Sequence, residues 1–178
     1  VSCREIAEGR SMDLIEIDAA SNRGIDDIRD LRERIKLSPS SLKKKVYIID
    51  EVHMLTTEAF NALLKTLEEP PEHVLFILAT TEVQKLPQTI LSRVQKFDFK
   101  KLTTDQVVSK LHGIALAEKV KIEKNLLRLI ARQAEGSLRD AESNFAKLIA
   151  FKGQEIDEEA IKEVLGIIPL NFYHDFFQ

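Results

Sequence analysis

Residues 46–55 read VYIIDEVHML. An uninterrupted apolar run, Val46 to Ile49, meets two acids, Asp50 and Glu51. A strand apolar on both faces belongs inside a parallel sheet covered on both sides. Ligands of such sheets gather outside the carboxyl ends of the strands, and the two acids stand at that end. Asp50 can hold the water shell of magnesium, an ion that prefers oxygen ligands and keeps several waters. Glu51 falls on the other side of the pleat, where it can orient or deprotonate an attacking water. A solvated turn accounts for the same pair, so the flanking sequence has to choose between the two.

Upstream, DLIEIDAAS (13–21) predicts a strand followed by a turn. GIDDIRDLRERIKL (24–37) spaces Ile25, Ile28, Leu31 and Ile35 along one helix face, with Arg29, Arg32 and Lys36 on another. SPSSLKKK (38–45) is a loop, broken from the helix by Pro39. Downstream, TTEAFNALLKTLEEPP (56–71) predicts a helix capped by Thr56 or Thr57, lined by Phe60, Leu63, Leu64 and Leu67, and ended by Pro70 and Pro71. HVLFILATT (73–81) is a second buried strand, KLPQTILSR (85–93) a short helix or turn, and VQKFDF (94–99) a last strand. After Lys101 no strand-like run remains, and helices fit 104–119, 123–135, 137–151 and 157–165. The expected fold class is therefore α/β: a parallel-sheet domain over 1–101, then a small all-α domain over 102–168.

Composition narrows the function. The chain has 178 residues, 44% hydrophobic and 31% charged, with net charge −3. It is no polycation, so any contact with nucleic acid needs a local basic stripe. No apolar run reaches the roughly 18 residues of a membrane span. Cys3 is the single cysteine, which excludes an internal disulfide and fits a reducing compartment.

Further residues carry candidate chemistry. Thr80 and Thr81 end the second buried strand, where a hydroxyl can meet a γ-phosphate or an attacking water. Arg93 lies between the short helix and VQKFDF; its fixed planar charge suits phosphate in a neighbour's site, although a surface ion pair is the commoner fate of an arginine. Arg139, in EGSLRDAE (135–142), occupies the first turn of a helix, the positive end of its dipole. That placement points to an anion. Cys3 reads as a plain thiol or as the last ligand of a zinc module. His53 and His73 lack spaced partner ligands and are assigned no metal.

VYIIDEVHMLTTEAFNALLKTLEEPPEHVLFILATT, KLPQTILSRVQKFDF and AEGSLRDAES together closely resemble the bacterial DNA polymerase III clamp-loader gamma/tau subunits, which are AAA+ ATPases. EIDAASNRGIDDIRDLRE is similar to the second-strand region of the same family. The resemblance implies roles. Asp50 and Glu51 become the Walker B acids, binding magnesium and activating water. Thr81, with Thr80 beside it, matches sensor 1, and Arg93 the arginine finger acting in trans, with Val94 where the family has Cys. Arg139 matches sensor 2 and, with Asp50, contacts nucleotide. Cys3 matches the last of four zinc cysteines, so that 1–10 is the end of a zinc module. Arg29 and Lys65, and more loosely Arg23, stand where the family grips DNA, although Asn22 and Gly24 replace residues that are often basic.

The implied cofactors are ATP and Mg2+, with Zn2+ in the complete subunit. The implied partners are the delta and delta-prime subunits, further gamma/tau copies, the sliding clamp and primer–template DNA, in the cytoplasm, with no membrane. No GxxxxGK(S/T) motif occurs in the chain. The family carries that P-loop, and the strand before it, upstream of the zinc module. We therefore expect an internal piece of a longer subunit, lacking an interior strand, with 169–178 starting a C-terminal oligomerisation domain. Two alternatives stand beside the ATP-driven subunit. One is a non-hydrolysing, delta-prime-like scaffold. The other is a different AAA+ machine such as a branch-migration helicase, against which LLKTLEEPP and LSR speak by resemblance.

Overall fold

The computed structural model describes residues 2–166. The predicted segment 169–178 lies outside them. The chain divides after Phe97 into two compact units.

The first unit opens with a short helix α1 (Ser2–Ala7), followed by strand β1 (Leu14–Asp18) and helix α2 (Ile25–Ile35). Strand β2 (Lys45–Asp50) leads through a 3-10 turn at Val52–Met54 into helix α3 (Thr57–Glu68). Strand β3 (Val74–Leu78) and helix α4 (Gln88–Leu91) complete it. The sheet has the order β1-β2-β3 and all pairs are parallel. Register places Ile17 beside Ile49 and Ile49 beside Leu78, and ends with Asp18 beside Asp50.

Side-chain alternation sorts this sheet into two faces. Tyr47 and Ile49 are buried in one cluster with Ile28, Leu31 and Ile35 of α2 and with Phe60, Leu63 and Leu67 of α3; Ile15, Ile17, Phe76 and Leu78 pack against it. The opposite face carries Val46 and Ile48, partly covered, and Leu75 and Ile77, 51% and 45% exposed. The expectation of strands buried on both faces thus holds for one face only.

The expected strand over 94–99 is corrected: no strand forms there. A strand exists through its ladder. β3 pairs only with β2 and is the sheet edge, and no ladder joins it to 94–99. Phe97 and Phe99 are left 69% and 97% exposed.

The second unit is helical: α5 (Thr104–Ala117), α6 (Lys124–Gln133), α7 (Leu138–Lys152) and α8 (Glu158–Leu165). Its core joins Leu111, Leu127, Ile130, Phe145, Leu148 and Ile161, all essentially inaccessible. Side-chain caps set the starts: Thr103 accepts from the Gln106 N–H, Ser137 from Asp140 and Asp157 from Ala160. Left-handed residues reverse the chain after the helices. Lys119 (φ 58°) follows α5, Glu135 (φ 48°) and Gly136 (φ 85°) follow α6, and Gly153 (φ 79°) follows α7.

Candidate functional site

The carboxyl ends of β2 and β3 meet because the two strands are parallel neighbours. Ala79 N–H donates to the Ile49 carbonyl at 2.9 Å, and Val52 N–H returns a bond to the Ala79 carbonyl at 2.9 Å. That exchange holds the chain immediately after Asp50 against the chain immediately before Thr80. Asp50 lies on the open face by alternation, exposed, with Oδ1 accepting from the Glu51 N–H at 2.9 Å. Its Oδ2 has no hydrogen-bond partner among the described residues.

Glu51 turns the chain at φ 46°, ψ 42°, a left-handed conformation uncommon for a side chain of this kind. The turn brings its carboxylate to the strand ends: Thr81 Oγ1 donates to Glu51 Oε2 at 3.2 Å. Thr80 does not reach Glu51. Its Oγ1 lies 2.9 Å from His53 Nδ1 and accepts from the Glu82 N–H at 3.0 Å. Asp18, the register partner of Asp50, is spent on its own turn, accepting from the Ala20 N–H at 2.8 Å and the Ser21 hydroxyl at 2.7 Å. The Ser21 hydrogen bond, above all, holds the Asp18 carboxyl below the ordinary carboxylate range.

His53 was missed as part of this cluster. Its side chain is only 6% exposed, with Nδ1 3.3 Å from Glu51 Oε2 and Nε2 3.2 Å from Glu82 Oε2. Sequence reasoning sought metal partners for it and found none; its actual partners are carboxylates on two separate loops, which spacing alone does not reveal. His73 is structural, its Nε2 3.0 Å from the Ile35 carbonyl oxygen.

Arg93 sits just beyond α4, and its guanidinium pairs with Glu68 at 2.6 Å while donating to the Thr89 carbonyl at 2.6 Å and the Ser92 hydroxyl at 3.2 Å. Glu68, from LEEPP, had not been singled out. Arg139 lies in the second unit, exposed in the first turn of α7, with no ion pair among the described residues. Arg23 donates to the Ala20 carbonyl, Arg29 pairs with Asp26 at 3.0 Å, and Lys65 is exposed on α3.

Comparisons with known proteins give these positions a context. The family described as DNA polymerase III, delta subunit, matches residues 1–103, and the DNA polymerase III clamp loader subunit ATPase lid domain matches 106–154. The chain belongs to the DNA polymerase III clamp-loader family. It is 51% identical to DNA polymerase III subunit tau of Bacillus subtilis over 94% of the chain and 30% of that protein. It is likewise 51% identical to subunit tau of Escherichia coli over 94% of the chain and 26% of that protein. Subunit gamma/tau of Mycoplasma genitalium is 47% identical over 99% of the chain and 30% of that protein. The clamp-loader chain thus spans less than a third of the length of these relatives.

Among solved structures, the Thermotoga maritima RuvB Holliday junction branch migration motor superposes with TM-score 0.69 at 18% identity, over 86% of this chain and 52% of that one. This likeness shows the fold alone, a parallel sheet with helices followed by a helical unit, and nothing about activity. A gamma subunit-related DNA polymerase III protein of the same organism gives TM-score 0.50 at 25% identity, over 90% of this chain and 65% of that one.

Within this family frame, Asp50 fits magnesium. One carboxylate oxygen free beside a strand end is what an ion needs that takes its remaining ligands from waters and phosphates. The described residues supply at most one of the donors a structural zinc needs, Cys3. Cys3 is an exposed thiol, and no group of three or more His, Cys, Asp or Glu gathers to hold a metal among them; a structural zinc needs four donors.

Proposed function

We propose that the chain is part of an ATP-driven clamp-loader subunit of the replicative DNA polymerase III holoenzyme, which binds and hydrolyses ATP to load the sliding clamp onto primed DNA. The observation that carries this reading is the joining of Asp50, Glu51 and Thr81 at adjacent parallel strand ends, with Thr81 Oγ1 3.2 Å from Glu51 Oε2. A solvated turn needs no such registration with the next strand.

In this reading Asp50 holds magnesium, which neutralises charge on the β- and γ-phosphates when bound. Glu51 accepts a proton from the attacking water, and Thr80 and Thr81 align the γ-phosphate end of the site. Arg139 contacts nucleotide from the lid. Arg93 acts on the site of a neighbouring subunit, with Glu68 and Thr89 holding its guanidinium at the end of α4. Arg23, Arg29 and Lys65 face DNA phosphates. Cys3 is one ligand of a zinc module in the complete subunit. The partners are the delta and delta-prime subunits, further gamma/tau copies, the clamp and primer–template DNA, in the cytoplasm.

In the full subunit, Glu51→Gln should leave ATP binding nearly intact and slow single-turnover hydrolysis at least a hundredfold, on the order of the loss of a general base; an unchanged rate would sink this reading. Arg93→Ala should bind ATP normally and impair hydrolysis in the adjacent subunit. Mixed assemblies of mutant and wild-type subunits test this, and a defect confined to the mutant's own site would refute it.

A second reading has one observation in its favour: the family matching 1–103 is described as a delta subunit. A delta-prime-like scaffold would keep the fold without turnover. Full-length subunits that bind no ATP, whatever residue stands at position 51, would select it.

A further inference from the structure

We infer that His53 is a positioning residue that clamps the Glu51 carboxylate to the loop after β3 and so leaves a single oxygen of Glu51 aimed for proton transfer. The inference rests on the proposed role of Glu51 in activating water.

The argument begins with what a buried imidazole needs. One partner satisfies a packing histidine, but His53 has carboxylates at both nitrogens: Glu51 Oε2 lies 3.3 Å from Nδ1 and Glu82 Oε2 3.2 Å from Nε2. The two acids come from different loops, the turn after β2 and the segment after β3. Glu82 is held as an anion, because the Lys85 ammonium at 2.7 Å keeps its carboxyl below the ordinary range. An anion 3.2 Å from Nε2 favours the ring orientation that turns Nε2 toward it, as carboxylates do for functional histidines elsewhere. Nδ1 is thereby directed at Glu51 and at Thr80 Oγ1, 2.9 Å away.

The consequence falls on Glu51. Its Oε2 is shared by His53 and by the Thr81 hydroxyl, 3.2 Å away. Its Oε1 has no partner among the described residues. The left-handed backbone at Glu51 (φ 46°) and the bond from Val52 N–H to Ala79 anchor the other end of the side chain. A carboxylate tied at one oxygen and free at the other is a base with a set direction, which matters because small misplacements of a catalytic group cost rate steeply.

The test uses full-length subunits in the assembled clamp loader. His53→Leu should lower the single-turnover hydrolysis rate about ten- to a hundredfold, the range for groups that orient a functional ligand, with little change in the Kd of a fluorescent ATP analogue. His53→Asn, whose amide can stand at the Nδ1 position, should restore most of the rate; His53→Gln, whose amide stands at the Nε2 position, should not. His53→Leu added to Glu51→Gln should cost nothing more, since the two act as a unit. Independently of activity, the 15N resonance of His53 Nδ1 should move on Glu51→Gln, and that of Nε2 on Glu82→Gln.

A wild-type rate in His53→Leu, or equal losses in all three variants, would overturn the inference. If His53→Leu does not fold, an Nδ1 resonance unmoved by Glu51→Gln overturns it alone. Slow hydrolysis in Glu51→Gln with normal hydrolysis in His53→Leu would remove only this inference. Normal hydrolysis in Glu51→Gln would remove the reading of Glu51 and this one with it.

Discussion

Tyr47 shows what a single residue of the apolar run costs and contributes. Its ring is fully buried and stacks on Phe76 with centroids 5.8 Å apart, yet its hydroxyl has no partner among the described residues. The same burial raises the phenol above its ordinary pKa. A buried unpaired hydroxyl destabilises, so Tyr47→Phe should raise stability by up to about 1 kcal/mol, measured by urea unfolding. Asp13 is the opposite case, buried and fully satisfied. It accepts from the N–H groups of Ser40, Ser41 and Leu42 at 2.7, 2.7 and 2.8 Å. The Ser40 bond, chiefly, holds its carboxyl at about 2 against an ordinary 3.8, despite the opposing effect of burial. A depressed folded pKa stabilises above the unfolded value and ceases to do so as pH falls through the folded one. The contribution is therefore complete above pH 3.8 and lost on acidification toward about 2. Acid titrations followed by circular dichroism should show this limb, and Asp13→Asn should flatten it while lowering neutral stability by about 2 kcal/mol. Neither residue announced its role, because the unpaired hydroxyl and the SPSS loop around Asp13 are properties of distant contacts. Asp50, Glu51 and Thr81 were readable since each ends an apolar run. His53 was not, because its partners lie on either side of a chain reversal.

At the scale of elements, the second unit was the easier to read. Helix contacts are local, and a 3.6-residue apolar period with Thr103, Ser137 and Asp157 as caps marks each start. The ends expected at 119, 135 and 151 came one or two residues off, where positive-φ residues follow the helix, while the end expected at 165 matched. Gly136 is the sharpest of these. At φ 85° it has no room for a side chain: an added Cβ would sit 2.8 Å from the Leu102 carbonyl oxygen and 2.9 Å from Lys101 Cβ. Its own carbonyl accepts from Leu102 N–H at 3.1 Å. Gly136→Ala should therefore destabilise the helical unit by about 1–3 kcal/mol through backbone strain, read as a lowered Tm, whereas Gly153→Ala, with open space around its Cβ position, should cost less. The segment VQKFDF was misread for the complementary reason. Its alternation is a strand pattern, but alternation states only which faces are apolar; a strand also needs a ladder, and 94–99 forms none, even with the free edge of β3.

For the whole molecule, the sheet leaves one face partly open. β3 is an edge strand with Leu75 and Ile77 exposed, a combination that invites association. Ile77→Lys should shift the purified chain toward monomer in analytical ultracentrifugation. The same 178 residues contain no P-loop motif, and in the proposed reading Asp50 would reach nucleotide only through magnesium. Calorimetric titration of magnesium–ATP into the chain as given should accordingly show very weak binding or none, because the N–H cradle and lysine that hold the β- and γ-phosphates are missing. A micromolar Kd would contradict that expectation. Apolar periodicity was enough to predict α/β followed by all-α, and the resemblance of contiguous stretches such as VYIIDEVHML and AEGSLRDAES to a known family enough to place the chain among clamp loaders, because both depend on residues near each other along the chain. Tertiary structure alone decided which sheet face is covered, that Arg93 is held by Glu68, and that His53 joins Glu51 to Glu82. Those facts depend on which strands are neighbours, and in a parallel sheet the neighbour always arrives from a distant part of the chain.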